Sequence, residues 1–317
     1  MAGLFPVKPM KSSGACFTMT RYTTGIFYHP SYSRRSYLTV GARLADFPMA
    51  LDAIMESDNV KIYEPGPIPE ELILKIHTPD LIEGVKRDAL CSTAWHSAMG
   101  VVMAGEKITE GEITNAFAFI GSGGHHSGRD YFGGYCCFND VALCIVNLRE
   151  RYGLKRFAIL DTDAHHGDGT RDLFFNDPDI LHVCICGADY ESKDGTKVDV
   201  SYPSPWGRWR EKRPMNELYY ELVAEHFPPR VRQFKPDLIF WYFGFDTHRG
   251  DYGDIGLTGP CFWNIADLML QVAVDECGGK LAVVLGGGSH THLATQLIPP
   301  IIEKLAFLNR RGQNPKP

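Results

Sequence analysis

Five short stretches of the chain are apolar without alternation: residues 116–120, 157–160, 180–186, 238–243 and 281–285. Each is bounded by Gly, Pro or polar residues. A strand with one wet face alternates apolar and polar positions, whereas a strand covered on both faces reads as a continuous apolar run. The pattern therefore predicts a parallel sheet buried on both sides. Helical spacing fills the intervals. Behind Asp140, which can act as an N-cap, Val141, Cys144, Ile145 and Leu148 recur at i, i+3, i+4 and i+7. Segments 216–234 and 261–277 read in the same way, with Pro228 and Pro229 expected to interrupt the former. A last helix is expected over 293–308, kinked or split by Pro299 and Pro300. Strand alternating with helix implies an α/β fold: a single-domain open parallel sheet with helices on both faces.

Segment 187–214 is polar and holds Pro203, Pro205 and several Arg, so it reads as a long surface excursion within the same domain. The organisation expected is an N-terminal extension over 1–24 and one catalytic domain over 25–317. Composition narrows the class. Hydrophobic residues make up 44% of the 317, too many for a disordered chain. No run is long enough to span a membrane. The formal charge of −6, with no basic block, excludes a non-specific nucleic-acid surface. Nine cysteines, scattered and without a Cys-x-x-Cys pair, predict reduced and mostly buried thiols in a cytoplasmic protein. Residues 1–28 lack an apolar region followed by a cleavage site, so no secretory leader is expected.

The polar residues that carry chemistry collect just past the predicted strands. Gly121-Ser-Gly-Gly-His125-His126 follows the first run and Asp161-Thr-Asp163-Ala-His165-His166-Gly-Asp168 the second. Gly244-Phe-Asp246 follows 238–243, and Gly286-Gly-Gly-Ser-His290 follows 281–285. Ligands bind at that edge of an open parallel sheet. A lone Asp-x-Asp-x-His is usually only a turn, but four clusters at one edge favour a site. In extended backbone Asp161, Asp163 and His165 share a side. A carboxylate and an imidazole so spaced can hold one divalent ion, with Asp246 the best third ligand. That set suits Zn²⁺, Fe²⁺, Co²⁺ or Mn²⁺. Two adjacent histidines alone would be a solvated loop. Beside a metal-bound water, His125 and His126 become a general base and an electrostatic partner, with Asp161 and Asp168 available behind the rings. Gly134 and Tyr135 can wall a narrow channel, though a core aromatic accounts for Tyr135 equally well. Gly286–Gly288 lacks a Gly-Lys-Ser/Thr ending and is no phosphate loop. His29, His77, His96, His182 and His226 lie outside the clusters and read as structural.

These motifs together resemble the histone deacetylase and acetylpolyamine amidohydrolase family, of the arginase/deacetylase fold, from about residue 25 to 308. The resemblance rests on Gly124-His125-His126, Gly134-Tyr135-Cys-Cys-Phe-Asn139-Asp140, Asp161 to Gly169, Gly244-Phe-Asp246 and Leu285 to Gly288. It implies a metal-dependent hydrolase of linear amides, with Zn²⁺, or Fe²⁺ in the cell, on Asp163, His165 and Asp246. His126 would be the base and His125 its electrostatic partner, backed by Asp168 and Asp161. Tyr135 and Gly134 would line the acyl-lysine channel. The substrate would be an N-acyl-lysine or a small N-acylamine, without nucleic acid or membrane, in a chain that can form a homo-oligomer. The family's structural K⁺ would lie near Asp161, Asp163, His165, Phe174 and Ile180, with Cys184 where a serine ligand is usual. The position of the family's transition-state tyrosine holds His290, as in class IIa deacetylases. Losing such a hydrogen-bond donor typically costs about 10²–10³ in rate. A slow enzyme of this kind could instead act as an acyl-lysine reader that retains the zinc site.

Overall fold

The computed structural model describes residues 23–34, 43–202 and 213–306. Its nine strands are β1 (Thr24–Phe27), β2 (Val60–Tyr63), β3 (Asn115–Ala118), β4 (Phe157–Asp161), β5 (Ile180–Cys186), β6 (Tyr190–Glu191), β7 (Lys197–Ser201), β8 (Leu238–Phe243) and β9 (Leu281–Leu285). They form one sheet in the order β2-β1-β3-β9-β8-β4-β5-β7-β6. All neighbours are parallel except the β6–β7 edge pair. The last strand, β9, lies in the middle, between β3 and β8. All five expected runs are strands. Every residue of β4, β5, β8 and β9 is buried, as continuous apolar runs require. Helices Ala94–Thr109 and Asp140–Tyr152 pack together in one group. Helix Gly259–Cys277 joins Met215–His226 and Thr291–Ala306 in another.

Several local expectations change. The N-cap of the Asp140–Tyr152 helix is Asn139, whose side chain accepts from the Ala142 N–H, while Asp140 is the first helical residue. Pro228 does break the 216–234 segment, starting a second helix, Pro228–Phe234. Pro299 and Pro300, by contrast, leave Thr291–Ala306 as one helix. Its face of Leu293, Leu297, Ile298, Ile301, Ile302 and Leu305 is buried, and that burial outweighs the two missing N–H donors. Segment 187–214 is not wholly a surface excursion: β7 runs through it and is largely buried. Residues 203–212 of that segment, and 1–22 of the N-terminal extension, lie outside the described residues.

The cysteine expectation is also corrected. Cys91 and Cys137 form a disulfide, with Cα atoms 6.1 Å apart across 46 residues. The 3₁₀ turn Ala89–Thr93 carries Cys91 to the Cys136-Cys137 segment, a meeting that spacing along the chain does not encode. Thiol usage therefore no longer argues for a reducing compartment. Cys136, Cys144, Cys184, Cys186, Cys261 and Cys277 are free. Among the described residues, no helix is long and apolar enough to cross a membrane.

Candidate active site

The four chemistry-bearing clusters follow β3, β4, β8 and β9, which are neighbours in the sheet. Their loops therefore meet at one point. There a cavity of about 150 Å³ is lined by His125, His126, Gly134, Tyr135, Asp163 and His165, among others.

At its base three donors converge. The Nδ1 of His165 is 3.2 Å from Oδ1 of Asp163 and 3.1 Å from Oδ2 of Asp246. Both carboxylates are buried. Backbone donors aim them: the Gly287 N–H donates to Asp163 Oδ2 at 2.6 Å, and the Ala164 N–H to Asp246 Oδ1 at 3.0 Å. Two buried carboxylates against one imidazole leave negative charge uncompensated. Burial and the neighbouring Asp163 carboxylate push Asp246 up to about 7. Hydrogen bonds to Asp163 and Asp246 push His165 up to about 10. The cluster attracts positive charge, and Asp₂His with one side open to the cavity is a donor set that fits a divalent ion.

The two histidines of the β3 loop each lean on a carboxylate. His125 Nδ1 is 3.0 Å from Asp161 Oδ2, and His126 Nδ1 is 2.6 Å from Asp168 Oδ1. Burial lowers the His125 pKa, but Asp163 and Asp161 overcome it and raise it to about 9. The His125 ring stacks on Tyr242 of β8, with centroids 4.6 Å apart. The Tyr242 hydroxyl accepts from the Gly124 N–H at 3.0 Å and fixes the loop that carries both histidines. Gly134 sits against the His126 ring at φ 54°. A β-carbon there would strike the ring, so only glycine suits the position. Tyr135, at the mouth, is also at positive φ and is 41% exposed, which sets aside the core-aromatic reading.

The sequence reading thus has Asp163, His165, Asp246, His125, His126, Asp161, Asp168, Gly134 and Tyr135 brought together. His290 is placed differently. Its Nδ1 faces Asp251 Oδ2 at 3.2 Å and Ser289 Oγ at 3.0 Å, and it is not among the residues lining the cavity.

Three lining residues were not anticipated. Arg43 is buried and donates to the carbonyls of Gly286 (2.6 Å), Gly288 (3.0 Å) and Ile120 (2.9 Å), tying the β9 loop to the end of β3. Tyr242 is hidden in an apolar run that reads only as strand. Tyr252 packs its ring against His165, with centroids 5.6 Å apart, and its hydroxyl accepts from the Gly288 N–H at 3.1 Å. A β-carbon built on Gly287 would lie 2.6 Å from that hydroxyl and 2.7 Å from each of Asp163 Oδ2 and Asp246 Oδ2. The phenol therefore reaches the edge of the three-donor centre. Burial, with Asp246 and Asp163 nearby, raises its pKa and keeps it protonated. Its place in Asp251-Tyr252-Gly253, just past the β8 cluster, was the available signal.

Comparison with known proteins gives one family. Residues 39–305 match the histone deacetylase domain. A probable deacetylase of Archaeoglobus fulgidus is 29% identical over 298 residues, covering 84% of this chain and 81% of that protein. Polyamine deacetylase HDAC10 of Mus musculus is 28% identical, with 63% of this chain and 31% of that protein covered. For histone deacetylase 5 of Arabidopsis thaliana the figures are 32%, 62% and 31%. The chain thus spans about a third of the length of these two eukaryotic relatives. The crystal structure of the HDA15 HD domain superposes with a TM-score of 0.77 at 20% identity, covering 93% of this chain and 91% of that one.

Proposed function

The chain belongs to the histone deacetylase family and is a hydrolase of amide bonds, and on that premise we propose that it is a zinc-dependent deacylase of N-acyl-lysine or of a small N-acylamine. Asp163, His165 and Asp246 would hold the ion, Zn²⁺ or, from the same donor set, Fe²⁺. Such an ion supplies Lewis-acid polarisation of a carbonyl and lowers the pKa of water to about 7. A structural K⁺ near Asp161, Asp163, His165 and Phe174 would depend on backbone carbonyls, because the Cys184 thiol is a soft donor.

The chain's own groups supply the rest. With Nδ1 of His126 engaged by Asp168, Nε2 is the nitrogen left to take a proton from water and return it to the leaving amine. His125, braced by Asp161, contributes positive charge beside the developing oxyanion. The Tyr252 hydroxyl already accepts from Gly288, so its proton is the group to donate to that oxyanion. His290 takes a positioning role, supporting the contact between Asp251 and Ser289. Tyr135 and Gly134 wall the entry for an alkyl chain. The names of the mouse and archaeal relatives support an acylated amine as substrate.

The observation that carries the reading is the convergence of Asp163, His165 and Asp246 at the cavity that His125 and His126 also line. The test is amine release from acetyl-lysine and trifluoroacetyl-lysine peptides and from an acetylpolyamine. The expected result is release that stops on chelation and returns with Zn²⁺. Binding of these compounds without release above the His126→Ala background would overturn it in favour of an acyl-lysine reader.

A further inference from the structure

A second cluster of side chains of metal-ligating type lies outside the first. Alternation along β5 puts His182, Cys184 and Cys186 on one side of the strand. The parallel register pairs Cys184 with Asp199 of β7, so the carboxylate stands beside the thiol. His166 enters from the loop after β4. Its Nδ1 lies 3.6 Å from Cys186 Sγ and 3.4 Å from Asp199 Oδ1. One donor atom from each of His166, Cys184, Cys186 and Asp199 lies within 4.8 Å of all the others. Tetrahedral zinc with sulfur at about 2.3 Å and nitrogen or oxygen at about 2.0–2.1 Å has ligand-to-ligand edges of roughly 3.3–3.8 Å. The two separations given above fall inside that range.

We propose that His166, Cys184, Cys186 and Asp199 form a second metal site, built for a soft divalent ion such as Zn²⁺ and separate from the Asp163–His165–Asp246 centre. Cys184, Cys186 and Asp199 are buried, and half-exposed His166 leaves one way in. Charge supports it. Arg171, also buried, grips Asp199 through both oxygens, at 3.0 and 2.6 Å. Once an ion displaces the thiol protons, two thiolates and a carboxylate, less one guanidinium, carry the two negative charges that a dication neutralises. The bidentate Arg171 still leaves a lone pair on each Asp199 oxygen and orients the carboxylate as outer partners of metal ligands do. The bland account, two core thiols beside an ion pair, explains neither the arrival of His166 nor the convergence of four donor atoms. Because His166 follows His165, an ion here would pin the turn that presents the other centre.

Cobalt(II) tests the proposal, because the Asp₂His centre offers no sulfur. Anaerobically prepared protein loaded with two equivalents of Co²⁺ is expected to show thiolate-to-cobalt charge-transfer absorption. The band should be roughly halved in Cys186→Ser and lost in the Cys184→Ser/Cys186→Ser double variant. It should persist in Asp246→Ala, which removes a ligand of the first centre only. No such band in the wild type overturns the proposal whatever the variants do, and so does an unchanged band in a folded double variant.

Discussion

Lowering the pH should unlock one buried histidine. His77 is buried, and as a neutral ring it is fully satisfied. Nδ1–H donates to the Gly128 carbonyl at 2.8 Å, and Nε2 accepts from the Asn139 N–H at 3.1 Å. Burial pulls its pKa from 6.5 down to about 4. A folded pKa below the unfolded one means that the unfolded chain binds the extra proton first. The stabilisation is complete above about pH 6.5 and is lost as pH falls towards 4. The full loss is about 3 kcal/mol, and roughly 2 kcal/mol is gone by pH 5. Charging Nε2 also replaces an acceptor with a donor facing the Asn139 N–H. Asn139 caps the Asp140–Tyr152 helix and donates to the Ser127 carbonyl and to Thr170 Oγ1, so the strain lands on the loop that carries His125 and His126. The assay is urea unfolding at pH 7.5 and pH 5 for the wild type and His77→Gln. The wild type should lose about 2 kcal/mol more than the variant over that interval. Equal losses in the two proteins would refute the reasoning.

Further outcomes are expected. Asp246→Ala should remove the ion from the Asp₂His centre and abolish activity, read by metal content and turnover together. His126→Ala should keep that ion but lose about 10²–10⁴ in kcat, the usual worth of general acid–base catalysis. Tyr252→Phe should cost about 10²–10³ in kcat, as the loss of an oxyanion donor does, whereas His290→Ala should cost about tenfold or less because that ring faces Asp251. Gly134→Ala should displace His126 and cut kcat at full metal occupancy, which metal content and turnover measured together will show.

The central strands and the three-donor centre were legible because their signals are local. An unbroken apolar run names a strand buried on both faces, and Asp/His clusters past the ends of four such runs mark the edge where a site can form. The misses arise where distant residues supply the reason. β2 reads poorly because Lys61 and Ile62 are exposed at the sheet edge. β7 carries Lys197 and Asp199, which look like surface residues. Lys197 is in fact buried, donating to the carbonyls of Asp177 and Ile180, and Asp199 is neutralised by Arg171. Arg43 meets Gly286 across 243 residues, and Cys91 meets Cys137 across 46. The placing of Tyr252 rather than His290 on the cavity wall is likewise decided by the adjoining Gly-rich segments, not by either residue's immediate neighbours.

The central place of β9 bears on how the protein is made. A ribosome delivers β3 and β8 long before β9, yet in the finished sheet neither touches the other and both flank β9. Until residues 281–285 emerge, each strand has a bare edge of unpaired N–H and C=O groups beside an apolar surface, the usual starting point for mispairing between chains. Gly287, which aims Asp163, arrives in the same late segment. A chain cut short before β9 would therefore be an aggregation hazard, and metal uptake at the Asp₂His centre would mark the completion of the sheet.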